Sequence, residues 1–493
     1  MSPGGIVGGF LLLRLVLAWI WPATIDEAYA ICVSRGMALS YFDHPPVGFT
    51  LAGLMARLTG SEAVAVVRLP FVLAGAASGW LIYDITRLAY GPSAGVWALA
   101  WYSVAPFFLI SAGHFVVPDG PLDLALLATL RLVLPDLLDP AGPPHAGRWL
   151  VAGACFAGAL AAKYQAGLFG VSALAFLLTS PAHRRLLRSP VIWGSLAVGV
   201  VGLVPTIVWN ASHGWISFGF QAARAGTETM SLQPLNFLLT AAGQMAYVLP
   251  GTWLVALVAA ARGIVSPRSA ADRVFGWFTI VPPAVFLAIA TVSEDSLPHW
   301  AMGGFLCGFP LVGEWTARAV DRRPRLLWTV WCVAVALIAS VAMAAGLQAR
   351  AAWLTRPFFT QAPAYDLDWQ MQDWSALAAA WPGFGSPRQV VTRNWVTGAK
   401  AGHALGPGVA VVPLVDPRHF QFLDAGSPEA AVAVEPAEPG GREAVLGSFP
   451  ALLEAHGYEP IGEPVIIRQE NGGHLRFEVV AIPVRPSPPA AGR

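Results

Sequence analysis

Two adjacent carboxylates, Asp26 and Glu27, directly follow an apolar run and Pro22, in a loop that continues through Tyr29 and closes on Tyr41, Phe42, Asp43, His44, Pro45 and Pro46. Thr24 and Glu27, three residues apart, form a capping-box pattern. It predicts a surface helix from Asp26 to about Leu39 and explains Glu27 as a cap as readily as a substrate ligand. Asp26 falls in the first turn, where the helix dipole favours its ionised form and readies it to accept a proton or orient a hydroxyl. A second acidic site is Asp119, set between Pro118 and Pro121, with Asp123 one turn deeper. Asp119 reads either as a helix N-cap or as the partner of Asp26 across a cavity. Asp123, ionisable near a membrane boundary, needs a partner.

Only two lysines occur, and one of them, Lys163, stands in a turn between two apolar runs, in a chain that otherwise uses arginine. A compact point charge there suits a phosphate, against the alternative of a snorkelling side chain. His299 opens another apolar run close behind Glu294 and Asp295. It has several readings: hydrogen bonding a carboxylate, touching phosphate, joining His44 as a metal ligand, or a structural imidazole. Fingerprints of metalloproteases, serine hydrolases, P-loops and dinucleotide folds are all missing from the sequence.

The elements that must position these groups are membrane helices. The chain is 56% hydrophobic and 12% charged, where soluble domains carry about 25% charge. Its apolar stretches predict about eleven spans of roughly 15–27 residues: 6–22, 64–88, 93–112, 119–137, 148–162, 164–180, 190–209, 234–260, 274–292, 298–317 and 325–346. The first reads as an uncleaved helix, because its lone basic residue, Arg14, lies inside the run rather than ahead of it. A net charge of +1 offers no basic field for nucleic acid. The four cysteines show no paired spacing.

This count places the clusters at His183–Arg188, Arg262–Arg273 and Arg318–Arg325 on one side, the cytoplasm by the positive-inside rule. The loops with Asp26, His44, Asp119, Lys163 and His299 then lie on the outer face. Beyond residue 346 Pro, Gly and Glu rise, which predicts a small external α/β domain at 347–482 and a disordered tail at 483–493. Strands are expected at 389–392 and 409–412 around a helix at 395–405, with a hairpin at 464–469 and 475–482.

The first-loop motif, Pro118 with Asp119, Lys163 with Tyr164, and Pro298-His299-Trp300 together resemble bacterial GT-C glycosyltransferases. The likeness is to the group related to dolichyl-phosphate-mannose protein mannosyltransferases (family 39) and the lipid A aminoarabinose transferase. It covers most of residues 1–346. The resemblance implies a polytopic bacterial inner-membrane enzyme with a C-terminal domain on the outer side. Such an enzyme transfers one sugar, with inversion, from a polyprenyl-phosphate carrier to a lipid, glycan or protein acceptor, as in lipopolysaccharide or protein glycosylation. Asp26 is then similar to the catalytic base, Asp119 to an acceptor-supporting residue and Lys163 to the group that neutralises the carrier phosphate. Glu27, Tyr29, His44 and His299 are expected to bind substrate. No cofactor is required, and whether a divalent metal takes part is left open. Gly120 departs from the family's alanine and is expected to loosen the local backbone. The competing readings are a transporter or flippase, which would show internal repeats, and a lipid-linked glycan polymerase or ligase, for which Arg224 is the one outer-loop candidate.

Overall fold

A computed structural model describes residues 2–224, 231–293, 296–362, 371–426 and 430–487. The chain is mainly helical and multi-pass. Among the described residues five helices are long and apolar enough to cross a bilayer unbroken: Pro3–Ile20, Val64–Tyr90, Pro190–Ser212, Ala270–Ala290 and Pro324–Ala351. Three bent pairs bring the number to eight: Pro92–Val104 with Phe107–His114, Tyr164–Thr179 with Pro181–Arg188, and Pro234–Val248 with Pro250–Val265. Helices Asp119–Leu138, Ala146–Ala162 and Met302–Val320 meet the other expected spans but lie outside that set of eight. The span expected at 234–260 is broken, its two helices bent by 104°. The break falls at Leu249, whose φ of 69° and ψ of 137° are non-helical, just before Pro250, which opens the second helix at its first position.

The chain divides into two compact units, residues 1–16, 38–48 and 69–340, and residues 17–37, 49–68 and 341–493. The expected boundary near 346 is close to the second cut. However, the tail unit also takes in residues 17–37, so Asp26, Glu27 and Tyr29 group with the tail while His44 groups with the bundle.

In the larger unit helices approach closely at small residues. A Cβ on Gly202 or Gly313 would collide with the Ala157 and Ala94 carbonyls respectively, the packing that replaces hydrophobic drive inside lipid. Arg14, fully buried, finds its partner through an irregularity. The π-turn Phe107–Ser111 shifts the carbonyl pattern, and Arg14 Nη2 donates to Phe108 O at 3.2 Å.

In the second unit a six-stranded sheet runs β2-β1-β3-β6-β4, with β5 on β6. Its strands are β1 (Gln389–Thr392), β2 (Ala410–Pro413), β3 (Ala431–Ala437), β4 (Tyr458–Pro460), β5 (Val465–Asn471) and β6 (His474–Pro486). β1 pairs parallel to β2 and β3, and β3 antiparallel to β6. The expected hairpin is present. Gly472 and Gly473, with φ of 59° and 81°, supply the two left-handed positions of a tight turn. β6 runs to Pro486, which corrects the expected start of a disordered tail at 483; residues 488–493 lie outside the described residues.

Helix Trp395–Leu405, capped by the Asn394 side chain on Val396 N and Thr397 N, packs on helix Ile25–Val33. Cys32 Sγ donates to Ala399 O at 3.6 Å, and burial pushes its thiol up to about 11. A Cβ on Gly402 would lie 2.5 Å from Val411 Cγ2 and 3.2 Å from Cys32 Sγ. Gly402→Val is therefore expected to cost about 1–3 kcal/mol by overpacking. In a background with Cys155, Cys307 and Cys332 changed to serine, it should turn Cys32 from unreactive to maleimide-reactive; unchanged labelling would refute the docked arrangement.

Candidate active site

The first-loop acids are held by one buried ion pair. Thr24 and Glu27 complete the capping box: Glu27 N donates to Thr24 Oγ1 at 3.3 Å, and Thr24 N to Glu27 Oε2 at 2.9 Å. The helix is shorter than expected, Ile25–Val33. Arg68 donates from Nε to Glu27 Oε1 at 2.7 Å and from Nη2 to Oε2 at 2.6 Å. Its other N–H groups reach the carbonyls of Ala18 and Trp21, both at 2.8 Å, and Pro22 at 3.0 Å. All five guanidinium donors are thus used, and neither side chain of the pair is exposed. Asp26, one residue earlier, is exposed in the first turn. Lys400 Nζ donates to Ala23 O at 2.7 Å. Burial pulls this ammonium down to about 8, with Asp373 and Glu27 opposing the shift.

Tyr29 is buried. Its hydroxyl accepts from His419 N at 3.1 Å, and its ring meets Phe49, Trp395 and Phe420 at 6.0, 5.3 and 5.6 Å. Glu27 and Tyr29, expected as substrate ligands, are both enclosed by protein partners.

The bundle unit gathers the other residues. Lys163, the C-cap of helix Ala146–Ala162 in extended backbone, donates to both Asp119 oxygens at 2.9 and 3.0 Å. Both side chains are buried. A cation suits the negative end of the helix dipole, while Asp119 sits at the positive N-terminus of Asp119–Leu138. His299, Trp300 and Gln165 line a narrow hollow with this pair. The His299 ring stacks parallel to Phe107, 6.5 Å away. Among the described residues Gln165 Oε1 and Asp123 Oδ2 are buried without a hydrogen-bond partner; the partner expected for Asp123 is therefore not seen at that oxygen. Glu294 and Asp295 lie outside the described residues.

His44 lies in the electrostatic field of Lys163, Asp119, Arg224 and His299. Burial pushes its imidazole down to about 3, with Lys163 and Arg224 acting in the same direction. The loop end is pinned by helix Ile216–Arg224, from which Ser217 Oγ donates to Tyr41 O at 3.1 Å and Gln221 Nε2 to Asp43 O at 2.7 Å. The same helix carries Arg224, with its guanidinium 5.0 Å from the Trp300 ring centre. Sequence reasoning weighed Arg224 only for the polymerase or ligase alternative, so its place beside Trp300 was missed. The available signal was its position as an isolated arginine in an outer loop.

Gly120 does not loosen the backbone as expected. A Cβ there would lie 2.9 Å from Ala112 O, so the glycine permits a close approach. Among the described residues no group of three His, Cys, Asp or Glu could hold a metal ion.

Residues 43–209 match the family model described as dolichyl-phosphate-mannose-protein mannosyltransferase, a stretch that includes His44, Asp119 and Lys163. Lipid A galacturonosyltransferase RgtD of Rhizobium johnstonii is 26% identical over 316 residues, covering 62% of this chain and 64% of the relative. The match thus spans just under two thirds of that relative's length. ArnT of Cupriavidus metallidurans, solved with undecaprenyl phosphate, superposes with a TM-score of 0.61 at 15% identity and 98% coverage of both chains. The oligosaccharyltransferase of Archaeoglobus fulgidus, solved with zinc and sulfate, gives 0.53 at 12% identity, covering 87% of this chain and 67% of the other. The fold is of the GT-C type, and the resemblance drawn from the loop motifs is borne out.

Arg68→Ala is expected to destabilise the chain by about 3–5 kcal/mol, because it leaves Glu27 charged and buried; a thermal midpoint equal to the parent's would refute this. For His44 the folded imidazole binds its proton more weakly than the unfolded one, whose value is near 6.5. Its contribution to stability is therefore complete above pH 6.5 and lost as pH falls toward 3, at no more than about 1.4 kcal/mol per pH unit. His44→Gln should flatten that part of the stability curve in acid denaturation measurements.

Proposed function

We propose that the chain is an inverting glycosyltransferase that moves one sugar from a polyprenyl-phosphate carrier to a lipid, glycan or protein acceptor at the non-cytoplasmic face of the inner membrane. The observation that carries this reading is the enclosed Asp119–Lys163 pair, set among Arg224, His44 and His299 in an otherwise apolar bundle. Fixed cations in a water-poor site stabilise charge that develops on a departing phosphate far better than they would in water. Lys163 and Arg224 fill that role here. His44, held neutral at pH 7, adds a hydrogen-bonding group without adding charge.

In the reaction the acceptor hydroxyl oxygen bonds to the anomeric carbon as the bond from that carbon to the phosphate oxygen breaks. The hydroxyl proton passes to Asp26, and the bond's electron pair leaves with polyprenyl phosphate. Attack from the face opposite the leaving group inverts the carbon. Polyprenyl phosphate is already a good leaving group, so one base and fixed cations suffice, and the reading requires no divalent metal. Asp119 holds Lys163 and supports the acceptor. Glu27 and Tyr29 become positioning residues that fix the turn displaying Asp26. The relative's named action on lipid A makes a lipid A acceptor the first to test, and the carrier bound to ArnT makes undecaprenyl phosphate the first donor lipid. The unit formed with residues 341–493 is proposed to lie outside the cytoplasm.

Detergent-purified chain given radiolabelled undecaprenyl-phosphate sugar and lipid A should release the carrier. Asp26→Asn should slow turnover about 10²–10⁴-fold, the usual share of a general base. Parental turnover by Asp26→Asn would overturn the catalytic assignment. The paired change Asp119→Asn with Lys163→Met removes both charges together and should retain the fold while losing transfer. Chelation with EDTA should leave the parent's rate unchanged.

A further inference from the structure

A second cavity lies at the other end of the bundle. Helices Pro250–Val265, Ala270–Ala290 and Met302–Val320 bound a groove of about 900 Å³. Along the first helix Leu254, Val258 and Arg262 line it at successive intervals of four residues, and along the third Leu311, Trp315 and Arg318 do the same at four and three, with Arg322 in the turn just past that helix's end. Such spacing puts each series on one helical face. The groove wall therefore changes from apolar, toward the middle of the helices, to cationic at their ends. On the helix Met302–Val320, Gly303 lines the Asp119–Lys163 hollow and Leu311 the groove, eight positions apart, so at about 1.5 Å per residue roughly 12 Å of helix separates the two.

The charges do not cancel. Four arginines (Arg262, Arg268, Arg318, Arg322) line the groove against two carboxylates, Asp272 and Glu314, leaving 4 − 2 = +2. Asp272 is occupied by Arg268, whose N and Nε donate to it at 3.0 and 3.3 Å, and by the Tyr90 hydroxyl at 2.9 Å. Glu314 pairs with Arg318 and lies 4.0 Å from Arg268 Nη2. Among the described residues Arg262 and Arg322 form no ion pair, while the facing Leu254 and Trp315 side chains are about half exposed. Two guanidinium groups without carboxylates above an exposed apolar wall match an amphiphile whose anionic group bears paired oxygens. Basic pockets between membrane helices bind phosphate headgroups in this manner.

We infer that this groove binds an anionic glycerophospholipid from the leaflet at this end of the bundle. Arg262 and Arg322 hold its phosphate, and its acyl chains lie along Leu254, Val258, Leu311 and Trp315. The site is independent of the transfer reaction proposed above. By the positive-inside rule the leaflet is the cytoplasmic one.

Delipidated full-length chain in detergent is titrated with phosphatidylglycerol, phosphatidylcholine and glycerol 3-phosphate, reading bound ligand by native mass spectrometry and stabilisation by thermal midpoint. Phosphatidylglycerol should bind at least tenfold more tightly than either of the others. Arg262→Gln with Arg322→Gln should lose at least tenfold of that affinity, and Arg262→Lys with Arg322→Lys should regain part of it. Val258→Trp, which fills the apolar wall and keeps every charge, should also lose the lipid and serves where the glutamine variant does not fold. Equal binding of phosphatidylcholine would reduce the groove to an apolar gap. Equal binding of glycerol 3-phosphate would make it a free-phosphate site. Parental affinity in the glutamine variant or in Val258→Trp would place the lipid elsewhere. Each of these results overturns the proposal.

Discussion

The Arg68–Glu27 pair holds the point at which the first membrane helix gives way to the first loop. A guanidinium with no exposed surface requires every N–H to be satisfied, and Arg68 meets this with both Glu27 oxygens and the carbonyls of Ala18, Trp21 and Pro22. Those carbonyls belong to the end of the helix and the residues after it, where backbone acceptors have no helical donors. One side chain thus ends one helix, and through Glu27 it starts the next. Because Glu27 closes the capping box, Asp26 must fall in the first turn with its side chain outward. Burying such a pair gives little net stability; what it supplies is a fixed geometry.

The same logic appears in the bundle. Charged groups at membrane depth are tolerated when paired, and Lys163 with Asp119 makes a neutral unit in a low-dielectric setting. Neutrality keeps the resting cost low, and the ammonium, with three donors and no acceptor, has one N–H beyond the two given to Asp119. Helix ends on both sides favour the arrangement, with the carboxylate at an N-terminus and the ammonium at a C-terminus. Aromatic neighbours, Phe107 on His299 and Trp300 under Arg224, hold rings and cation in place and exclude water.

The sheet-bearing unit contributes by enclosure. Its helix Trp395–Leu405 covers Ile25–Val33, Lys400 caps the Ala23 carbonyl, and His419 holds the Tyr29 hydroxyl. The residues after Pro22 therefore have a protein environment on the loop side as well as the clamp from Arg68. A loop so held has little conformational freedom left to lose.

Much of this was legible in the sequence. Low charge and long apolar runs dictate membrane helices, because a spanning backbone must satisfy its own N–H and C=O groups and a continuously apolar run of that length does so as a helix. The capping box, the Gly-Gly hairpin and the strands at 389–392 and 410–413 follow from local chemistry between near neighbours, and local chemistry is what a linear pattern records. Other features depend on residues remote in sequence. Arg68 lies 41 positions from Glu27, and Lys163 lies 44 from Asp119. No local pattern marks these pairs. That Arg68 pairs with Glu27, that Gly120 makes room for Ala112, and where Arg224 stands were decided by tertiary packing alone. The physical reason is that burial and Coulomb attraction act through space, and only the folded chain determines which distant groups are left without water.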